Sequence, residues 1–286
     1  MTVPDPAIPD QTASDREVAN PPGTIPTLAQ ALAVSRQGEE LSAHVHDGFD
    51  VFGIPHGGYL AALGAAAVLE HTRQPDIFTI TTHFLRKAVV GPMTFLATPV
   101  GGSRRFTTVT ATASQNGHVV MSIMASVGDR TMIQGPAWTT APPTALAEQN
   151  LSPPATTPGP DFQPPNIAAR LGLRLDTNTM GFTHGQIGDH ATVRAVTTST
   201  EPSTQLVAII ACDATVPAVF NALGPKGWVP TVELTVHLRA RPDPGPLMID
   251  VVTNHVTDGF LDEDATVFDA TGRLVAQSRQ LARWAA

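Results

Sequence analysis

The apolar and polar positions of this chain fall into two matching series. Residues 78–92 (FTITTHFLRKAVVGP) alternate, reach a Leu-Arg pair, break and close on Gly-Pro; residues 230–246 (PTVELTVHLRARPDPGP) do the same. Alternation of period two predicts a strand with one buried face. Each run is preceded by an apolar segment, residues 56–71 (HGGYLAALGAAAVLEH) and 204–223 (TQLVAIIACDATVPAVFNAL). Each is followed, after an interval, by a Gly-containing turn and a short apolar strand, NGHVVMSIMASV at 116–127 and TGRLVAQSRQLA at 271–282. A repeat of this length implies two copies of one structural unit in one chain.

In the first copy a strand is expected from Glu39, then punctuation at Gly53-Ile54-Pro55, then a helix from His56 to His71. That helix is apolar around most of its circumference and should be buried. Strands are expected at 77–86, 92–100, 104–114 and 118–128. A buried helix followed by antiparallel strands predicts an α+β unit whose sheet curls around the helix. The second copy predicts strands near 168–176 and 188–198 and a helix near 203–222. It then predicts strands at 231–241, 246–255, 260–269 and 273–283. The turn Gly224-Pro225-Lys226-Gly227 should close the second helix. Pro, Thr and Ser crowd residues 134–165, which reads as a linker. Residues 1–24 have too little apolar surface to offset ordering and read as a disordered or draped arm. The expected units are therefore 25–133 and 166–286.

With 286 residues, 42% of them hydrophobic, the chain can bury a substantial core. A net charge of −8, with no Lys/Arg cluster, argues against nucleic acid as a partner. The single cysteine, Cys212, rules out an internal disulfide framework and a cysteine-rich zinc site. No histidine falls in a metal-ligand spacing, so no metal is expected. The first residues lack the basic start and apolar core of a signal peptide, and no apolar run reaches membrane-spanning length. A cytoplasmic protein without membrane contact is the expectation.

HGGY at 56–59, HFLR at 83–86, the Gln115-Asn116-Gly117 turn and VAQSRQLAR at 275–283 occur in an order that resembles the acyl-CoA thioesterase II family. The resemblance runs from about residue 39 to 284. It implies a double hot-dog fold, two tandem antiparallel sheets each wrapped around a long central helix. It implies hydrolysis of acyl-CoA or acyl-carrier thioesters, and a homodimer or higher homo-oligomer. No cofactor is expected, because coenzyme A belongs to the substrate. In this family an Asp on the second-half helix, a Thr or Ser opening the next strand and a Gln near the C-terminus hold the attacking water. The matching positions are Asp213, Thr231 and Gln280. In the first half, His56 stands at the place read as equivalent to Asp213, and Ala125 at that of Gln280, so the halves look differentiated.

The chemistry of these residue types fits the implied reaction. A carboxylate orients or deprotonates water, and a hydroxyl and an amide hold it by hydrogen bonds. His56, Gly57 and Gly58 open the first helix, whose free N–H groups and positive dipole end suit a developing oxyanion; they are the candidate substrate-binding residues. Each also has a plainer reading. Asp213 fits an exposed turn at a helix irregularity before Pro217, Thr231 a β-branched strand residue, Gln280 a solvent-facing position and His56 a helix cap. His83 and His237 read as structural. Arg104 and Arg105 read as a solvated turn or a phosphate contact, and Cys212 as a core residue. Two other functions compete. Hot-dog hydratases resemble each other in pairing an Asp with a His five residues on, but here Ala218 follows Asp213 and Ala61 follows His56. The third function is acyl-thioester binding without turnover.

Overall fold

Each half begins with a short helix that the apolar pattern did not announce. In the first it is α1 (Leu28–Ala31), whose N-cap Thr27 and Gln30 form a reciprocal capping box. A computed structural model describes residues 25–139, 145–155, 164–188, 190–225 and 229–284. The expected arm at 1–24, parts of the expected linker and Lys226-Gly227 of the expected turn lie outside the described residues.

After α1 come β1 (Ser35–Gln37), β2 (Glu40–Val45), and a small hairpin of β3 (Asp50–Val51) and β4 (Ile54–Pro55). Helix α2 (Gly57–Thr72) follows, then β5 (Asp76–Phe84), β6 (Gly91–Gly102), β7 (Phe106–Gln115) and β8 (His118–Gly128). The second half repeats the order. It contains α3 (Asn166–Leu171), β9 (Arg174–Leu175), β10 (Thr192–Val196), α4 (Gln205–Ala211) and α5 (Phe220–Leu223). It closes with β11 (Thr231–Leu238), β12 (Met248–Val252), β13 (Val256–Thr257), β14 (Phe260–Phe268) and β15 (Leu274–Arg283).

One antiparallel sheet joins both halves in the order β1-β2-β6-β7-β8-β5-β11-β15-β14-β12-β10-β9, with β13 paired to β14. The seam is β5 against β11, where Thr81 faces Thr235 and their hydroxyls lie 2.8 Å apart. That pair marks a pseudo-two-fold axis, since the strand order read outward from it is the same in both directions. Arg130 ties the seam. Its guanidinium donates to the carbonyls of Ile77 on β5 and of Leu238 at the end of β11 at 2.9 and 2.8 Å. The fully buried Asp76 is held by both arms of Arg241.

Helix α2 behaves as its composition requires. Gly58 through Ala65, with Ala67 and Val68, are buried against the sheet and against α4. Gly64 packs closely there, since a Cβ on it would lie 2.5 Å from Ile123 Cδ1 on β8 and that side chain would have to move.

Two expectations are corrected. The strand expected at 168–176 is helix α3 as far as Leu171, and only Arg174–Leu175 of it, β9, is strand. Ile167, Ala168 and Leu171 share one buried helical face, and Gly172 ends the helix at φ +56°. The long second helix expected at 203–222 is also absent. α4 ends at Ala211, a turn follows, and α5 begins only at Phe220. Pro217 keeps α4 and α5 from joining into one helix. It has no N–H for the carbonyl of Asp213 four residues earlier, and its ring would clash with that carbonyl.

Candidate active site

The carbonyl that Pro217 leaves unmet is taken by the other half of the molecule. His56 Nε2 lies 2.8 Å from the Asp213 carbonyl oxygen and 3.3 Å from its Oδ2. His56 is the N-cap of α2, and its Nδ1 accepts the Tyr59 N–H at 3.2 Å. With Nδ1 accepting, Nε2 carries the proton and donates to Asp213. The Gly58 N–H donates to Asp213 Oδ2 at 2.7 Å. The Asp213 carboxylate therefore sits on the N-terminus of α2, where orphan amides and the helix dipole favour negative charge. Burial raises its pKa; His56, the Gly58 N–H and Gln280 oppose that rise. The Asp213 side chain keeps 10 % exposure, so the carboxylate is sunk but not sealed.

Gln280 and Thr231 converge on the same place. Gln280 lies on the inward face of β15, only 6 % exposed, and its amide opposes the rise of the Asp213 pKa. Thr231 Oγ1 donates to Gln280 Oε1 at 2.9 Å. Thr231 faces inward only because the strand is bulged. Leu234, Val236 and Leu238 point in, so a regular β11 would turn Thr231 outward. The register shifts between Thr231 and Glu233 instead, so that Thr231 opposes Ala282 and Glu233 opposes Leu281. One extra residue re-aims the side chain, a known use of bulges beside functional sites.

A fourth residue belongs to this cluster and was not singled out in the sequence. Glu263 on β14 lies directly opposite Gln280 and is 7 % exposed. Its Oε2 accepts from Gln280 Nε2 at 2.6 Å, and its Oε1 from the Ala218 N–H at 2.7 Å. Burial lifts its pKa to about 7. The signal was present in the strand parity: Leu261, Ala265 and Val267 are apolar at alternate positions and place residue 263 on the inward face.

The pseudo-two-fold axis gives each of these strand residues a counterpart. Ala125 opposes Ile80 as Gln280 opposes Leu234, and Val109 opposes Ala125 as Glu263 opposes Gln280. Ile77 precedes a bulge in β5 as Thr231 does in β11. Thus Thr231, Glu263 and Gln280 are replaced in the first half by Ile77, Val109 and Ala125, all buried. The equivalence read between Ala125 and Gln280 agrees with this register. That read between His56 and Asp213 does not. His56 caps α2 as Thr204 caps α4, whereas Asp213 lies beyond the C-terminal end of α4.

Other candidates lie elsewhere. Arg104 and Arg105 line a small recess beside Gly128, which pairs with Asp76 near the C-terminal end of α2. A helix of 16 residues separates that end from His56 by about 24 Å. His83 and His237 are exposed on the outer face. Cys212 is buried, and burial pushes its thiol up to about 12. A surface depression of about 300 Å³ lined by Asn178, Gln186, His190 and Asn221, among others, includes none of the Asp213 cluster. Among the described residues no group of three His, Cys, Asp or Glu is placed to hold a metal, and no helix is long and apolar enough to cross a membrane.

The continuous antiparallel sheet joining two like halves is that of a hot-dog protein, and among the described residues a buried polar cluster lies at the junction. A candidate thioesterase II from Thermobifida fusca superposes with a TM-score of 0.81 at 26% identity, over 92% of this chain and 100% of that one. A hot-dog protein of unknown function from Alicyclobacillus acidocaldarius shares the fold, with a TM-score of 0.74 at 23% identity over 91% and 98% of the two chains. Residues 45–128 match the family model of the acyl-CoA thioesterase N-terminal domain, and residues 147–283 that of the C-terminal domain. The chain belongs to the acyl-CoA thioesterase family. Uncharacterized proteins of Mycobacterium bovis and Mycobacterium tuberculosis are 42% identical over 77 residues, which is 27% of this chain and only 26% of theirs.

Proposed function

We propose that this chain hydrolyses acyl thioesters of coenzyme A or an acyl carrier, with Asp213 acting on a water that Gln280 and Thr231 help to hold. The observation that carries the reading is the convergence of Asp213, Gln280 and Thr231, from three separate elements, on a buried spot at the N-terminus of α2. Asp213 takes a proton from the water as its oxygen attacks the thioester carbon. The tetrahedral intermediate then collapses, the C–S bond breaks, and the leaving thiolate takes up the proton that Asp213 gives back. Because Gly58 gives its N–H to Asp213 and Tyr59 gives its own to His56, the amide of Gly57 is the remaining orphan donor of the first turn. It is the group assigned to the oxyanion. His56 then acts by orienting Asp213.

The test is release of free thiol from a panel of acyl-CoA chain lengths. Asp213→Asn keeps the shape and an acceptor for the Gly58 N–H while removing the base. Its turnover should fall by about 10²–10⁴ with little change in Tm. An Asp213→Asn protein within threefold of wild type would end the assignment.

A second reading is favoured by one observation. His56 and Asp213, from different halves, form the His/Asp pair that no spacing within one helix provides. Such a pair could hydrate an enoyl thioester. Against this, both ring nitrogens of His56 are already committed, to Tyr59 and to Asp213. Loss of enoyl absorbance without thiol release would support hydration.

A further inference from the structure

Two buried carboxylates flank one amide in this structure. Gln280 Nε2 donates to Glu263 Oε2 at 2.6 Å, and the same side chain reaches Asp213. Gln280 Oε1 accepts from Thr231. An amide group flipped by half a turn has nearly the same shape, so its surroundings decide which end points where. Thr231 does not decide, because a hydroxyl donates or accepts by rotating. As a carboxylate Glu263 has no such freedom, since it carries no proton to donate, its Oε1 is engaged by the Ala218 N–H and only Oε2 faces Gln280.

We infer that Glu263 is a positioning residue that anchors the Gln280 amide with its N–H groups toward Asp213. This inference rests on the hydrolase reading above. Glu263 and Gln280 are directly opposed on adjacent strands, so the contact is short and held by the backbone register. Through Ala218 the same carboxylate fastens the turn that follows Asp213 to the sheet. One side chain thus fixes both the segment bearing the base and the amide beside it. The equivalent of Glu263 in the first half is Val109, where no amide needs an anchor.

A double-mutant cycle separates this role from general support of the fold. Glu263→Ala should lower kcat by about 10-fold to 100-fold, less than the effect of losing a direct donor to the transition state, with KM within about twofold. In a Gln280→Ala background it should cost markedly less, only what the lost Ala218 contact is worth. Glu263→Gln, whose own carbonyl can accept the Gln280 N–H, should recover part of the loss; it also serves if the alanine variant folds poorly. An equal loss in both backgrounds would overturn the inference, because Glu263 would then act only through the turn at Ala218. The second readout needs no turnover. The side-chain amide protons of Gln280, identified by their disappearance in Gln280→Ala, should shift in NMR spectra of Glu263→Gln. If those protons do not move, the inference fails even in an active enzyme. If wild type releases no thiol, the hydrolase reading fails, and the amide spectrum alone decides the contact.

Discussion

Gly58→Ala probes the clasp between the two halves, and its cost follows from the surroundings. A Cβ on Gly58 would lie 2.9 Å from Asp213 Cβ, 2.9 Å from His56 Cε1 and 3.1 Å from the Ile210 carbonyl oxygen. Two of these atoms are backbone or attached to it, so no side-chain rotation relieves the clash. Overpacking of this kind costs about 1–3 kcal/mol. Moving Asp213 away also loses the 2.7 Å bond from the Gly58 N–H, a bond to a charged acceptor. Such bonds contribute about 1.5–3 kcal/mol. Against this stands a gain of about 1 kcal/mol from replacing glycine inside a helix. Net destabilisation should be about 1.5–5 kcal/mol, read as a lowered denaturation midpoint at unchanged m. Turnover should fall as well, because Asp213 is displaced. Gly64→Ala is the comparison. Its Cβ meets Ile123 Cδ1 at only 2.5 Å, yet that atom is the tip of a flexible side chain and can move. It should cost less than Gly58→Ala and leave kcat nearly intact. A Gly58→Ala protein within 0.5 kcal/mol (roughly the error of surface substitutions) and at wild-type turnover would refute the clasp. So would the reverse order of the two variants.

The buried Glu263 should shape the pH dependence of stability. Its pKa is raised to about 7 in the fold from an ordinary 4.5, so its share of stability is full below 4.5 and is lost as pH rises through 7. The loss is about 3 kcal/mol at most. The Tm of wild type relative to Glu263→Gln should therefore fall between pH 4.5 and 8; parallel curves would contradict the burial argument. Cys212, buried and with its thiol pushed up to about 12, should resist a thiol reagent at pH 8 until the chain is unfolded. Labelling of the native protein at the rate of a free thiol would contradict that.

Much of this was legible in the pattern of apolar positions, and what was not has identifiable physical causes. Helix α2 could be read almost to its ends, because an unbroken Ala/Leu run after His-Gly-Gly has one stable fate. β8 and β15 were legible as apolar strands, but the inward face of β15 was not, since Leu281 is exposed and Gln280 buried. The second helix was overread although Pro217 was in plain view. Apolar composition continues through Ala214 to Phe220, and composition does not register a missing N–H. Thr231 faces inward through a bulge, a change of register that alternation alone would have placed on the other face. Glu263 lies in the run Asp262-Glu263-Asp264, which looks like a solvated acidic stretch. Only the parity set by Leu261 and Ala265 distinguishes it from its neighbours. The contact between His56 and Asp213 spans 157 positions and depends on how two helices meet, which no local pattern encodes.

The break in the second helix explains why, among the described residues, the duplicated scaffold carries the Asp213 cluster in one half and apolar packing at the equivalent strand positions of the other. α2 runs for 16 residues, so nearly all its carbonyls are spent within the helix, and its N-terminus presents orphan amides at the junction. α4 stops after 7 residues, and the turn beyond it brings the Asp213 carbonyl to the His56 ring and the Asp213 side chain to the Gly58 amide. Were the second helix continued as the first is, the N–H of residue 217 would claim the Asp213 carbonyl and His56 would lose its acceptor. Asp213 would then be carried around the helix axis and away from Gly58. Pro217 forbids that continuation. The strand positions follow the same division. Thr231, Glu263 and Gln280 stand where a carboxylate needs partners, while Ile77, Val109 and Ala125 pack where an unpartnered polar group would cost about 1–3 kcal/mol. Grafting the three polar residues into the first half should therefore destabilise it without creating a second site, because no interrupted helix there delivers a carboxylate to them.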